Sequence, residues 1–380
     1  MRVAVNPSLL RWARERARID VLELHARFPK LPAWENEEAR PTLKQLESYA
    51  RATHAPIGFF FLPEPPDEPL PIPDFRTMAG AQIVRPSPDL LETIYVCQER
   101  QSWYREFATV GGLSAPAFVS SLTIETPIAA AAVFISNALG FDLEMRRRCP
   151  TWTEALRRFV DQADKIGVLV MVSGVVQNNN RRQLDPEEFR GFALVDRLAP
   201  LVFINGADSK AAQMFTLAHE LAHLWIGASA LSDSSAAIEP DQATESWCNR
   251  VAAELLVPMA ALRRSLTEHE PLGDTLARLA REFKVSTLVI LRRLFDADYL
   301  AEGTYRKAYA AELRRIAELR TGSGGNFYLT TTARVSRRFG QALIESTLEG
   351  RTLYRDAFRM LGIAKISTFN EFARHLEATL

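Results

Sequence analysis

FTLAHELAHLWIG, residues 215–227, is the stretch from which the rest of the chain can be ordered. Within it His219, Glu220 and His223 spell H-E-x-x-H. On an α-helix, residues four apart differ by about 40° of rotation, so the two imidazoles point the same way, one turn apart. Such a pair can fill two corners of a Zn²⁺ tetrahedron, with Glu220 beside them to act on water rather than on the metal. The competing reading is an amphipathic core helix whose histidines fall at i and i+4 by accident. With six histidines in 380 residues, that accident should occur in roughly one chain in a hundred of this composition. Phe215, Leu217, Leu221, Leu224, Trp225 and Ile226 make the helix apolar on either reading. Two buried imidazoles and a carboxylate with no shared partner are costly, however, and a cation removes that cost.

The bulk composition narrows the classes open to the chain. Its length and its 47% hydrophobic content suit two or three packed domains. Lys+Arg and Asp+Glu balance at 46 each, so no global field draws nucleic acid or an anionic membrane, and any such binding must come from a local patch. Cys97, Cys149 and Cys248 are odd in number and far apart, which fits a reduced protein rather than a disulfide frame. The first residues, MRVAVNPSLLRWARERAR, place charges where a signal peptide needs an apolar core. The longest apolar run, around Ile128 to Leu139, falls short of the ~20 residues of a membrane span. A soluble, cytoplasmic protein is the expectation.

Residues 7–62 read as several short helices. Leu9, Leu10, Trp12 and Ala13 recur at helical spacing, then Val21, Leu22, Leu24 and Ala26, with Asp20 as a cap. A third piece covers Leu31 to Glu38, and Pro41-Thr42 opens a fourth with Leu43, Leu46, Tyr49 and Ala50. This order, with the run LPAWENEEARPTLKQLESYA, resembles the five-helix helix-turn-helix domain of Xre/Cro-type repressors, and the resemblance implies DNA as a partner of residues 1–62. The piece that would enter the major groove, Lys30 to Glu38, carries Glu35, Glu37 and Glu38 against one lysine, whereas DNA affinity comes largely from Lys and Arg on phosphates. Arg11, Arg14, Arg16 and Arg18 on the first helix could supply that charge. DNA binding, protein docking and a purely structural role all stay open.

PEPPDEPLPIPDFRT, Pro63 to Thr77, is stiff and extended, a linker laid along a surface, with Asp74 and Arg76 able to pin its end. Helical spacing resumes over 88–109, 126–140 and 151–165. The period then changes: GVLVMVSG (167–174), the GFAL run (190–195) and LVFIN (200–205) read as three strands. Asn205-Gly206 turns the chain, and Asp208 or Ser209 caps the motif helix. After Pro258, residues 275–297 keep a helix-turn-helix-like rhythm. A basic helix, a Gly-rich turn (322–325) and two amphipathic helices complete the chain.

A catalytic zinc needs a third protein ligand and one open position. His25, His54, His269 and His375 lie far along the chain, and no histidine follows the motif at metzincin spacing, so a carboxylate on the next helix is expected. That helix reads ESWCNRVAAELLVP, residues 245–258. HELAHLWIG followed by ESWCNRVAAELLVP resembles the ImmA/IrrE family of metallopeptidases, with its H-E-x-x-H and E-x-x-A-N-x-F-A-A-x-L-L-M-P patterns. Cys248, Val251 and Val257 depart mildly from it. The resemblance implies that Glu245 completes the zinc site; Glu239, Asp241 and Glu254 are the rivals, and Cys248 is expected to pack rather than ligate. It further implies a zinc endopeptidase with Glu220 as catalytic base, cleaving a protein substrate such as an Xre-type repressor in stress, phage or mobile-element regulation. The alternative is a DNA-binding regulator or antitoxin-like module whose peptidase domain acts as a sensor.

The expected fold is α+β and mostly helical. A helix-turn-helix-like domain (1–62) is followed by a proline-rich linker with connecting helices (63–119). A zincin-like peptidase domain with a small sheet of about three strands (120–300) then precedes a helical C-terminal region (301–380).

Overall fold

A computed structural model describes residues 2–73, 85–232, 242–318 and 327–377. These fall into two compact units, the first ending at Tyr95. Among the described residues no helix is long and apolar enough to cross a membrane. Asp74, Arg76, Glu239, Asp241 and the Gly-rich turn at 322–325 lie outside the described residues.

The first unit is built from α1 (Pro7–Arg16), α2 (Val21–Arg27), α3 (Leu31–Glu35), α4 (Leu43–Ala52) and a 3-10 turn, Ile57–Phe61. Asp20 caps α2 by accepting from the Leu22 and Glu23 amides, and Thr42 with Gln45 forms a capping box on α4. Leu9, Leu10, Leu31, Leu46, Tyr49 and Phe60 are the centre of its core. The third helix is shorter than its apolar pattern suggests. It ends at Glu35, with Asn36 as C-cap and Glu37 in the left-handed region at φ 63°, so residues 36–38 are not helical. The four arginines of the first turns are already engaged. Arg11 donates to Glu35 O and Arg14 pairs with Glu35; Arg16 forks onto Glu68, and Arg18 donates to Arg85 O.

In the second unit the helices are the later part of α5 (Pro88–Val110), then α6 (Ile128–Leu139), α7 (Leu143–Arg147) and α8 (Trp152–Lys165). The sheet follows: β1 (Leu169–Ser173), β2 (Gly191–Leu194) and β3 (Leu201–Asn205), then α9 (Lys210–Ile226) and β4 (Ala230–Ser232). The strand order is β1-β3-β2-β4. β1 and β3 run parallel, joined by residues 174–200 which themselves contain β2; β2 is antiparallel to both β3 and β4. Three strands match the expected runs. β4 is an addition, pairing Ala193↔Ala230 to Gly191↔Ser232 at the edge of the sheet. β2 and β3 are buried along their whole length, which is why they read as apolar runs rather than alternating ones.

Four helices follow: α10 (Gln242–Leu256), α11 (Met259–Ser265), α12 (Leu272–Phe283) and α13 (Thr287–Asp296). α14 (Glu302–Glu318) is the basic helix of the tail, and where two helices were expected beyond it there are four, α15 (Phe327–Val335), α16 (Arg337–Leu348), α17 (Tyr354–Leu361) and α18 (Ile366–Glu377). Ser336 and Gly362 break that stretch, both at positive φ. One continuous core runs from Phe118 on the loop before α6, through the sheet face and α9, to Leu294 on α13.

Candidate metal centre

α9 is a strong helix by local chemistry. Ser209 Oγ accepts the Ala212 amide at 3.2 Å, making Ser209 rather than Asp208 the cap. The interior is rich in Ala, Leu and Met, good helix formers. Gly227, at φ 75°, ends it in the left-handed region. Leu217, Ala218, Leu221, Ala222, Leu224 and Trp225 are fully buried, and each large one stabilises the fold by roughly 1.5–3 kcal/mol. His219, Glu220 and His223 lie on this helix in the same dry environment.

α10 brings Glu245 to them. His219 Nε2 is 3.1 Å from Glu245 Oε2, His223 Nε2 is 3.0 Å from Glu245 Oε1, and the two ring nitrogens are 3.1 Å apart. Tetrahedral zinc with N and O ligands at about 2.0–2.1 Å holds its ligand atoms about 3.3–3.4 Å apart. The separations fall within a few tenths of an ångström of such edges, each ring facing a different oxygen of the Glu245 carboxylate, and among the described residues His219, His223 and Glu245 form the one His/Cys/Asp/Glu group close enough to share an ion.

The charges agree with that geometry. Burial pushes the Glu245 carboxyl up, but the two imidazoles outweigh it and hold the group well below the usual carboxylate range. Burial pulls the His219 ring down; Glu245, with help from Glu220 and Asn249, more than compensates, and its pKa is raised. For His223 burial prevails over Glu245, with His219 adding to it, and the pKa is lowered. The three groups thus share one concentrated patch of opposing charge. The donor set, two neutral-capable imidazoles and one ionised carboxylate, fits a divalent metal ion.

Glu220 is fully buried and lies against β2. A Cβ built on Gly191 would come within 3.1 Å of Glu220 Oε1, 2.6 Å of Thr216 Cγ2 and 2.8 Å of Phe203 O. The bare backbone at 191 is what leaves room for α9 to approach here, with its Thr216 methyl and Glu220 carboxylate. This glycine was not singled out in the sequence, although a glycine opening an otherwise apolar strand is a usual mark of close approach.

The other sequence candidates divide clearly. Cys248 is buried outside the donor group, and its thiol is pushed well up by burial and then by Glu245 and Glu220, as suits packing. Glu254 is taken up by Arg293 and by the Met259 amide.

A histidine-glutamate-histidine helix, a second helix adding a carboxylate and a small mixed sheet alongside are the parts expected of a zincin-like domain. Residues 163–295 match the M78 peptidase family profile, described as the IrrE N-terminal-like domain, and residues 335–375 match a domain of unknown function, DUF8813. Two curated relatives, each named radiation response metalloprotease IrrE, come from Deinococcus deserti and Deinococcus radiodurans. Both are 37% identical over 101 residues, covering 25% of this chain and 36% and 31% of their own lengths. The chain thus spans about a third of the length of the curated relatives it matches. Residues 163–295 are thus similar to the IrrE N-terminal-like peptidase domain.

Proposed function

We propose that this chain is a zinc-dependent endopeptidase whose metal is held by His219, His223 and Glu245. The convergence of those three donors, two buried and one half-buried, within 4.8 Å carries the reading. When bound, the ion supplies Lewis acidity, bringing the pKa of water toward ~7 and polarising the scissile carbonyl. Glu220 is the general base: its carboxylate accepts a proton as the water oxygen attacks the carbonyl carbon, and returns it to the amine nitrogen as the C–N bond breaks. β4, at the sheet edge beside β2, offers backbone N–H and C=O groups to an extended peptide. About one zinc per chain is expected by elemental analysis, and Glu245→Ala should weaken its binding at least tenfold. A wild-type chain that takes up no zinc at equimolar metal would overturn the reading.

The substrate we propose is a protein, an Xre-type repressor, cleaved in stress, phage or mobile-element regulation. The Xre-like helix order of the first unit and the stress-related names of the two relatives support it. A cytoplasmic setting fits three free, buried thiols.

The alternative, a DNA-binding regulator or antitoxin-like module acting through residues 1–62, has less to stand on. Arg11, Arg14, Arg16 and Arg18 are bonded within their own unit, and α3 is a five-residue helix, short for a groove-reading element. The full chain should give no salt-sensitive mobility shift with its own promoter near 0.15 M salt. A sequence-selective shift that weakens steeply with salt would revive the alternative.

A further inference from the structure

Residues 118–126, between α5 and α6, tie the ends of both donor-bearing helices together. On α9, the Ser120 amide donates to Leu224 O at 3.1 Å and the Leu122 amide to Trp225 O at 2.9 Å. These carbonyls belong to the last turn of the helix, beyond its regular i to i−4 bonds; Leu224 O is shared with the capping Gly227 amide at 3.3 Å, and Leu224 directly follows His223. Phe118 stacks on Trp225 with centroids 4.2 Å apart. The seat is shaped for close approach: a Cβ on Gly227 would fall 2.3 Å from Ser120 Oγ. On α10, the Trp247 indole Nε1 donates to Thr126 O at 3.0 Å, two residues beyond Glu245. Trp247 is 5% exposed, so that bond is made away from water. The segment lies outside the matched residues 163–295.

We propose that residues 118–126 are a strap that sets the distance between His223 and Glu245, with Trp247 as the positioning residue through which it acts on the metal donors. The inference rests on the zinc reading above. His223 and Glu245 come from separate helices, so their 3.0 Å approach depends on how α9 and α10 are held. The strap bonds to both within two residues of a donor. Partners hydrogen-bonded directly to a metal's ligands are worth about 10–100-fold in affinity; the strap acts one step further out, through the helices that carry the donors, so the low end of that range is expected.

The test uses the full chain and Zn²⁺ as the probe. Trp247→Phe keeps the ring and removes the indole donor. Trp152→Phe is the control, because Trp152 Nε1 also donates to a backbone carbonyl, Val285 O, at 3.2 Å, away from the donors. Zinc affinity, measured by chelator competition, should fall roughly tenfold or more in Trp247→Phe and stay within about twofold in Trp152→Phe. Thermal unfolding of the metal-free proteins should show comparable small losses in both variants. Equal zinc affinities for wild type and Trp247→Phe would overturn the strap while leaving the zinc reading intact. Equal weakening in both variants would also overturn it, showing a general loss of stability. A wild type that binds no zinc would remove the zinc reading and the strap together.

Discussion

Gly191 on β2 stands against Glu220 on α9, with a notional Cβ 3.1 Å from the Glu220 carboxylate oxygen and 2.6 Å from the Thr216 methyl. The strand has no side chain at this point because the Thr216 methyl, the Phe203 carbonyl and the carboxylate of the proposed base occupy that volume. Gly191→Ala should therefore displace Glu220 before it disturbs the donors. Overpacking of this kind costs about 1–3 kcal/mol, and the cleavage rate should fall at least tenfold with zinc content unchanged. A variant with wild-type rate would mean that the carboxylate does not need its observed position.

Much of this site was legible in the sequence because it is local. The spacing of His219, Glu220 and His223 on a helix needs only 3.6 residues per turn, and caps such as Asp20, Thr42 and Ser209 act within three residues. The three buried strands were readable as short apolar runs. What escaped depends on long-range approach. β4 has three residues and exists through its pairing with β2; Gly191 faces Thr216 and Glu220, 25 and 29 residues downstream; and the strap at 118–126 meets α10 across more than 100 residues. The third helix stopped early because Asn36 and Glu37 adopt capping conformations that a periodic pattern does not register.

Arg146 is fully buried and donates to Leu256 O at 2.6 Å, Leu255 O at 3.1 Å and Phe283 O at 3.1 Å, closing the C-terminal ends of α10 and α12. Burial draws its pKa down to about 10 against the pull of Asp142. Arg146→Met fills similar space but leaves three helix-end carbonyls without these donors. The expected loss is about 3 kcal/mol or more by urea unfolding. A loss below about 1 kcal/mol would mean that other groups satisfy those carbonyls.

Burial pushes the Cys97 thiol up to about 12, with Arg100 pulling back only in part. The folded chain then keeps a proton that the unfolded chain releases from about pH 9 upward. The contribution is fully present below pH 9 and is lost as pH rises toward 12. Between pH 8 and pH 10.5, the urea midpoint of wild type should therefore fall further than that of Cys97→Ala. Parallel declines would show that the thiol is not held protonated by the fold.

The most direct test of the proposed chemistry is Glu220→Gln, which replaces the carboxylate with a neutral amide of the same shape. Zinc content and the cleavage rate of an Xre-type repressor should be measured on the same preparations of wild type and variant. The variant is expected to hold about as much zinc as wild type and to cleave roughly 10²–10⁴-fold more slowly. Cleavage at the wild-type rate by zinc-loaded Glu220→Gln would contradict the account.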